Sequence, residues 1–186
     1  ALVGIVGKPG AGKSTLSAYL LQELKSSEVT VVPMDDYHLS NAVLQELGRA
    51  DRKGAPDTFD VAGFASLLQR IRAEKVVDIY YPVFDRSIEE SIAAQGVVTQ
   101  KTKVVIIEGN YLLHDTGGWE AIADLLDEIW FIDVDDEKRL ERLIARHIAY
   151  GKSPEAAESW SRGSDEVNAR TIDAGRSRAH AVITLD

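Results

Sequence analysis

Apolar residues in this chain fall into short runs and longer spaced stripes that alternate along its length. Leu2–Val6 is a short apolar run and predicts a buried strand. A glycine-rich turn follows, and Leu16, Leu20 and Leu24 then recur in steps of four, which predicts a helix. Val29–Val32 is a second β-branched run, ended by Pro33 and a polar loop. Asp60 is placed to cap a helix carrying Val61, Phe64, Leu68 and Ile71 at helical spacing. Val76–Tyr81 reads as a strand leading to Pro82, and Val104–Ile107 as a central strand. Trp119–Leu126 predicts a helix and Ile129–Val134 a strand. A charged helix is expected over Asp136–Tyr150, broken by Gly151. Ser153-Pro154 opens another helix, because proline suits a first helical position. Ala181–Leu185 predicts a last short strand. Strands alternating with helices imply an α/β fold, a mostly parallel sheet with helices on both faces.

Length and charge narrow the picture. A chain of 186 residues with 45% hydrophobic content suits one α/β domain, with room for a small lid. The net charge of −9 argues against a nucleic-acid binder, which needs a basic face. The absence of cysteine excludes disulfides and zinc–thiolate sites and fits a reducing cytoplasm, the expected location. No apolar run approaches the roughly 20 residues that span a bilayer, so no membrane partner is expected. Ala1 lies almost inside the first strand, so upstream residues are expected in the full protein, and a targeting segment there stays open.

The strongest chemical signal is Gly7-Lys8-Pro9-Gly10-Ala11-Gly12-Lys13-Ser14, which fits G-x-x-x-x-G-K-[ST] between a strand and a helix. Gly7, Gly10 and Gly12 let the backbone, Ala11 included, turn its N–H groups toward phosphate oxygens. The helix that follows begins at its positive dipole end. Lys13 places a cation on the β- and γ-phosphates, Ser14 offers a hydroxyl to Mg²⁺, and Thr15 is in reach of the α-phosphate. The pattern predicts a site for ATP with magnesium, and a glycine-rich strand–helix turn without a ligand is the plainer alternative. A second element, Val104–Gly109, ends an apolar strand in Glu108, which sheet geometry delivers beside the phosphate loop as a second metal-side group.

Strand two ends in Met34-Asp35-Asp36-Tyr37-His38, which faces the same crevice. Transfer of a phosphoryl group to an alcohol benefits from a carboxylate that positions the hydroxyl and takes its proton. Asp35 is the candidate base, and a polar turn after Pro33 is the plainer alternative. Successive residues of an extended segment point to opposite sides, so only one of Asp35 and Asp36 should face the crevice. Tyr37 and His38 are candidate substrate contacts, and His38 equally suits a satisfied loop histidine. The stretches Arg52–Asp60 and Tyr81–Arg86 read as loops with interleaved charge and aromatic residues, suited to a polar metabolite. Arg52, Asp57, Asp85 and Arg86 are their candidate contacts. On the charged helix Arg139, Arg142 and Arg146 share one face. That row is either a solvated basic face or a lid over ATP that meets the transferring phosphoryl.

Taken in order, GKPGAGKST, PMDDYHL, RKGAPDTFD, YPVFDRS, IIEGNYLL and RLIARHIAYGKSPE resemble the uridine kinase and pantothenate kinase-like group of P-loop kinases. The bacterial subgroup labelled fructose-transport-system kinase, or nucleoside-kinase-like, is the most similar. The resemblance spans nearly the whole chain. It implies a three-layer α/β/α P-loop fold with a five-stranded parallel sheet, a single domain over residues 1–186 and a small helical lid around residues 139–155. It implies ATP and Mg²⁺ as cofactors and a small hydroxyl-bearing acceptor, and it leaves a homodimer open. Asp35 matches the family's base. Glu108 matches its glutamate at the acceptor and metal. Arg142 and Arg146 match its lid arginines, with Lys152 in a third basic place. Asp57 matches an acid near the acceptor. The stretch Tyr81–Arg86 departs from the family's nucleoside and pantothenate patterns, which points toward a sugar such as fructose.

Other nucleotide-handling classes fit less well. A GTPase should carry N-K-x-D for guanine, and the chain has none. Glu108-Gly109 is not the acidic pair of a mechanical ATPase. A nucleotide-binding regulator without activity would have little reason to keep Lys13, Ser14, Asp35 and Glu108 together.

Overall fold

A computed structural model describes residues 1–24, 26–74 and 76–185. The strands are β1 (Leu2–Gly7), β2 (Val29–Pro33), β3 (Ile79–Asp85), β4 (Glu90–Val98), β5 (Val104–Gly109), β6 (Glu128–Asp133) and β7 (Ala181–Thr184). The helices are α1 (Lys13–Glu23), α2 (Asn41–Glu46), α3 (Val61–Ala73), α4 (Glu120–Ala123), α5 (Asp136–Ala149), α6 (Pro154–Arg162) and α7 (Ser164–Asp173). Five strands form one parallel sheet in the order β2–β5–β1–β6–β7. β3 and β4 form a separate antiparallel hairpin.

The central strands are apolar almost throughout because both faces of the sheet are covered. Alternate residues serve opposite cores. Leu2 and Val6 of β1, Val105 and Ile107 of β5 and Ile129 and Phe131 of β6 join α3, Trp119 and Tyr111 in the larger core. Ile5, Ile106 and Ile132 turn the other way and meet Leu16, Leu20 and Leu21 of α1. The α1 stripe therefore uses Leu21 where Leu24 was expected; Leu24 lies beyond the helix and is exposed. Asp60 caps α3 as predicted, its Oδ1 accepting from the Gly63 N–H at 2.9 Å.

The structure corrects three further expectations. The third strand begins at Ile79, not Val76, and runs through Pro82 to Asp85. Val76 and Val77 are exposed, so their β-branched side chains announce no buried strand. Tyr81–Arg86 is consequently strand and hairpin turn, not loop. Its partner β4 escaped sequence reading, because Glu90–Val98 is mostly exposed and shows no apolar alternation. Pro82 has no N–H to donate, and the ladder shifts register between Tyr81 and Val83. The helix expected over Trp119–Leu126 shrinks to α4, while Trp119 itself is buried and donates to the Pro56 carbonyl at 3.0 Å. Among the described residues no helix is long and apolar enough to cross a membrane.

Candidate active site

The phosphate loop joins β1 to α1. Gly10 and Gly12 sit at φ 83° and 92°, a region L side chains rarely adopt. A Cβ on Gly10 would also lie 2.6 Å from the Arg139 carbonyl oxygen, so this turn has no room for a side chain. Gly7 closes β1, and its carbonyl accepts from Lys13 Nζ at 2.9 Å. Ala11 is fully buried beneath the loop. Burial pushes the Lys13 ammonium down to about 8; Glu108 and Asp35 oppose that shift and Arg146 adds to it. Lys8, at the loop's shoulder, is tied to Asp136 at 2.6 Å.

One cleft of about 870 Å³ collects most of the expected residues. Its walls include Gly10, Gly12, Lys13, Ser14 and Thr15 from the loop, Asp35 after β2, Glu108 from β5, Arg86 from the hairpin turn and Arg142 and Arg146 from α5. Ser14 Oγ donates to Glu108 Oε1 at 2.5 Å. Arg86 reaches Asp35 Oδ2 at 3.1 Å across the mouth. Asn110, Tyr150 and Leu185 also line the cleft but were not singled out as site residues, although Asn110 and Tyr150 lie within the IIEGNYLL and RLIARHIAYGKSPE stretches. Tyr150 stands 5.9 Å from the Arg86 guanidinium, so the end of α5 meets the hairpin turn there.

Asp35 and Asp36 do diverge, but by a different device from the one expected. Met34–Tyr37 is a 3₁₀ turn, not an extended segment. Asp35 lines the cleft, while Asp36 is buried and accepts from the Phe84 N–H at 2.8 Å.

Several expected substrate residues lie apart from the cleft lining. Tyr37 packs on Phe64 in the core at 5.2 Å, and burial pushes its hydroxyl up to about 12. His38 lies between Phe59 and Phe84, with ring centres at 4.1 and 4.9 Å, and shares a hydrogen bond of 2.8 Å between Nδ1 and the Asp35 carbonyl. Burial holds its imidazole below the usual range. Arg52 grips both oxygens of Asp57 at an exposed corner. That pairing draws the Asp57 carboxyl below its ordinary value. Asp85 accepts from the Ser87 N–H at 2.8 Å and hydroxyl at 2.6 Å, and so forms the hairpin turn.

The arginine row divides. Arg142 and Arg146 are exposed and line the cleft. Arg139 is fully buried, pairs with Asp136 at 2.9 Å and Glu166 at 2.6 Å, and donates to the Pro9 carbonyl at 3.3 Å. It braces the phosphate loop from behind. Equal helical spacing does not give equal roles, because α7 covers one end of the row and leaves the other open.

Residues 2–185 match the sequence profile of the phosphoribulokinase/uridine kinase family. A protein of Schizosaccharomyces pombe described as a candidate uridine kinase is 32% identical, with 92% of this chain and 77% of that one covered. An ATP-dependent kinase-like protein of Aspergillus versicolor is 34% identical over 75% of this chain and 86% of its own. Among solved structures, a candidate fructose transport system kinase from Silicibacter sp. TM1040 superposes with a TM-score of 0.90 at 38% identity, covering 98% of this chain and 88% of that one. With a phosphate cradle, an acid facing it and a profile match that spans nearly every residue, the chain belongs to the phosphoribulokinase/uridine kinase family and is an ATP-dependent kinase.

Proposed function

We propose that this kinase moves the γ-phosphate of ATP to a hydroxyl of a small sugar, with fructose as the first candidate. The observation that carries the transfer reading is the convergence of Asp35, Lys13 and the Ser14–Glu108 pair on one cleft. Lys13 moves from the Gly7 carbonyl to the β- and γ-phosphates, whose charge restores the ammonium that burial disfavours. Asp35 orients the acceptor hydroxyl and takes its proton, once Arg86 yields the carboxylate. Arg142 and Arg146 meet the charge that spreads over the phosphoryl oxygens. Residues 139–155 act as the lid, hinged on the buried Arg139.

The donors also suit magnesium. Ser14 and Glu108 offer a hydroxyl and a carboxylate oxygen 2.5 Å apart, and no group of three or more His, Asp or Glu assembles among the described residues. That sparse all-oxygen set is what Mg²⁺ takes, with phosphates and waters completing its shell. Ser14 and Glu108 would hold it. Bound there, Mg²⁺ would neutralise charge on the β- and γ-phosphates.

The name of the Silicibacter protein and the departure at Tyr81–Arg86 favour a sugar. A nucleoside acceptor is the second reading, favoured by the name of the Schizosaccharomyces relative. The cysteine-free composition suits a kinase working in the cytoplasm. The test is ADP formation from ATP and magnesium with a panel of sugars, nucleosides and pantothenate-like alcohols. Acceptor-dependent ADP with fructose is expected. Uridine turnover with no sugar turnover would reverse the order of the two readings, and slow ADP formation independent of every acceptor would remove the transfer reading.

A further inference from the structure

Arg86 stands where the lid, the base and the nucleotide cleft meet. Its guanidinium pairs with Asp35 Oδ2 at 3.1 Å and lies 5.8 Å from the centre of the Phe84 ring and 5.9 Å from that of Tyr150. Tyr150 follows α5, the helix that places Arg142 and Arg146 on the same cleft wall. The third basic place expected of the lid, Lys152, is turned elsewhere. Its ammonium lies 4.7 Å from the centre of the Trp160 ring, and it does not line the cleft.

The backbone around Arg86 is pinned on both sides. Asp36 accepts from the Phe84 N–H at 2.8 Å, and Asp85 accepts from the Ser87 N–H at 2.8 Å. The side chain between them is held far less firmly. Its pair with Asp35 is open to water, the two side chains being 48% and 37% exposed, and exposed ion pairs contribute little. Aromatic faces attract a guanidinium without fixing its hydrogen bonds. Arg139 is the contrast, fully buried and held by two carboxylates and a carbonyl. Weak bonds on a fixed backbone let a side chain change partner without moving the fold.

The cleft also supplies the second partner. Asp35 is near enough to act on the Lys13 ammonium, as is Arg146. Lys13 is the cation for the β- and γ-phosphates. A base that takes the acceptor's proton lies against the oxygen that attacks the γ-phosphorus. Arg86, hydrogen-bonded to that base, is therefore one side chain away from the γ-phosphate oxygens. The arginine fork matches phosphate oxygens, and such a charge-assisted, bidentate contact outweighs a water-exposed pair with one carboxylate oxygen.

We propose that Arg86 is a ligand of the γ-phosphate, and that it exchanges Asp35 for that phosphate when ATP enters the cleft. The inference rests on the reading of Asp35 as the base and adds a phosphate ligand from the hairpin. Without nucleotide, the guanidinium covers the carboxylate that takes the proton. With ATP bound, one movement uncovers the base and brings a cation to the phosphoryl group. ADP has no γ-phosphate and leaves the pair closed. The base is then free only while there is a phosphoryl group to transfer.

The experiment is calorimetry of AMP-PNP and of ADP, each with magnesium, into wild type, Arg86→Met and Arg86→Lys. Met keeps an apolar stem against Phe84, and thermal melts show that each variant is folded. Arg86→Met should weaken AMP-PNP by about 10-fold or more, as loss of a hydrogen bond to a charged group gives, while ADP binds nearly as before. Arg86→Lys should recover part of the loss, because it keeps the charge and not the fork. In NMR spectra the Arg86 Nε–H signal, identified by its absence from Arg86→Met, should move on adding AMP-PNP and stay on adding ADP. An unchanged ratio of AMP-PNP to ADP affinity in Arg86→Met overturns the inference. A raised D-fructose KM with unchanged AMP-PNP affinity would make Arg86 an acceptor contact instead and also overturns it. A signal that moves with neither nucleotide overturns the exchange of partner. If no acceptor yields ADP, the transfer reading fails, and the ratio of AMP-PNP to ADP affinity still decides the role of Arg86 by itself.

Discussion

Between Gly7 and Thr15, consecutive residues build the phosphate cradle, whereas the proposed acceptor side draws Asp35 from just after β2, Arg86 from a hairpin turn and Glu108 from β5. The cradle is local. Positive φ at Gly10 and Gly12 and the first turn of α1 fix its shape, and Lys13 finds its carbonyl partner six residues back. The acceptor side is assembled over distance: Arg86 meets Asp35 from 51 residues away, and Phe84 meets Asp36 from 48. A local device needs only a few neighbouring residues to agree, whereas an assembled one depends on where the hairpin sits.

The largest effects should break the cradle. Lys13→Ala should abolish turnover and weaken ATP binding, since the β- and γ-phosphates lose their fixed cation. Unaltered turnover would take the loop out of the reaction. Asp35→Asn should separate the two regions. The rate should fall by roughly 10²–10⁴, the range for loss of a general base, with ATP affinity nearly constant. Single-turnover rates beside ATP titrations check this, and a matching loss of ATP affinity would show that the regions are not independent.

Arg142→Ala and Arg146→Ala should fall between these. Each should lower the maximal rate by roughly 10²-fold, the low end for loss of one transition-state donor, with a smaller change in acceptor KM. Steady-state kinetics at saturating ATP decide it. Full rates in both would leave Arg142 and Arg146 on a solvated basic face, with α5 acting on the loop through Arg139 at the Pro9 carbonyl and Asp136 at Lys8.

The same contrast explains what could be read without coordinates. The central parallel strands were legible because burial on both faces makes them continuous apolar runs, the mostly exposed edge strand β7 because it lies in the short apolar run Ala181–Leu185, and the cradle because its glycines and helix are contiguous. The hairpin was not. β4 is mostly exposed, and Pro82 made Tyr81–Arg86 resemble a loop when it is a strand with a shifted register. Arg139 shared a helix face with Arg142 and Arg146, but only Glu166 arriving from α7 makes it a buried brace. The divergence of Asp35 from Asp36 was anticipated, yet its cause is a 3₁₀ turn whose buried member is fixed by a hairpin that had not been foreseen. Patterns report what one element buries; they do not report which distant element arrives to bury it.

The smallest effect concerns stability and runs opposite to the largest. Lys13 is half-buried and its ammonium is held at about 8, against the ordinary 10.5, chiefly by burial. Below about 8 the group is protonated both folded and unfolded, so the folded protein bears a disfavoured charge. Between 8 and 10.5 the folded form releases the proton while the unfolded form keeps it. The unfolded state then binds more protons, and the contribution of this group to stability rises with pH. Lys13→Met removes the charge and keeps the apolar stem. Without nucleotide, its Tm at pH 7 should exceed that of wild type by roughly 2–4 °C for each kcal/mol recovered, as expected for a chain of this size. The gap should narrow toward pH 10. With ATP and magnesium the order should reverse, because only wild type gains from the phosphates. Thermal melts across pH, with and without nucleotide, check all of this. A variant less stable than wild type at pH 7 without nucleotide would mean that the Gly7 carbonyl already satisfies the ammonium, and that the cradle is strained by its fold and not by its charge.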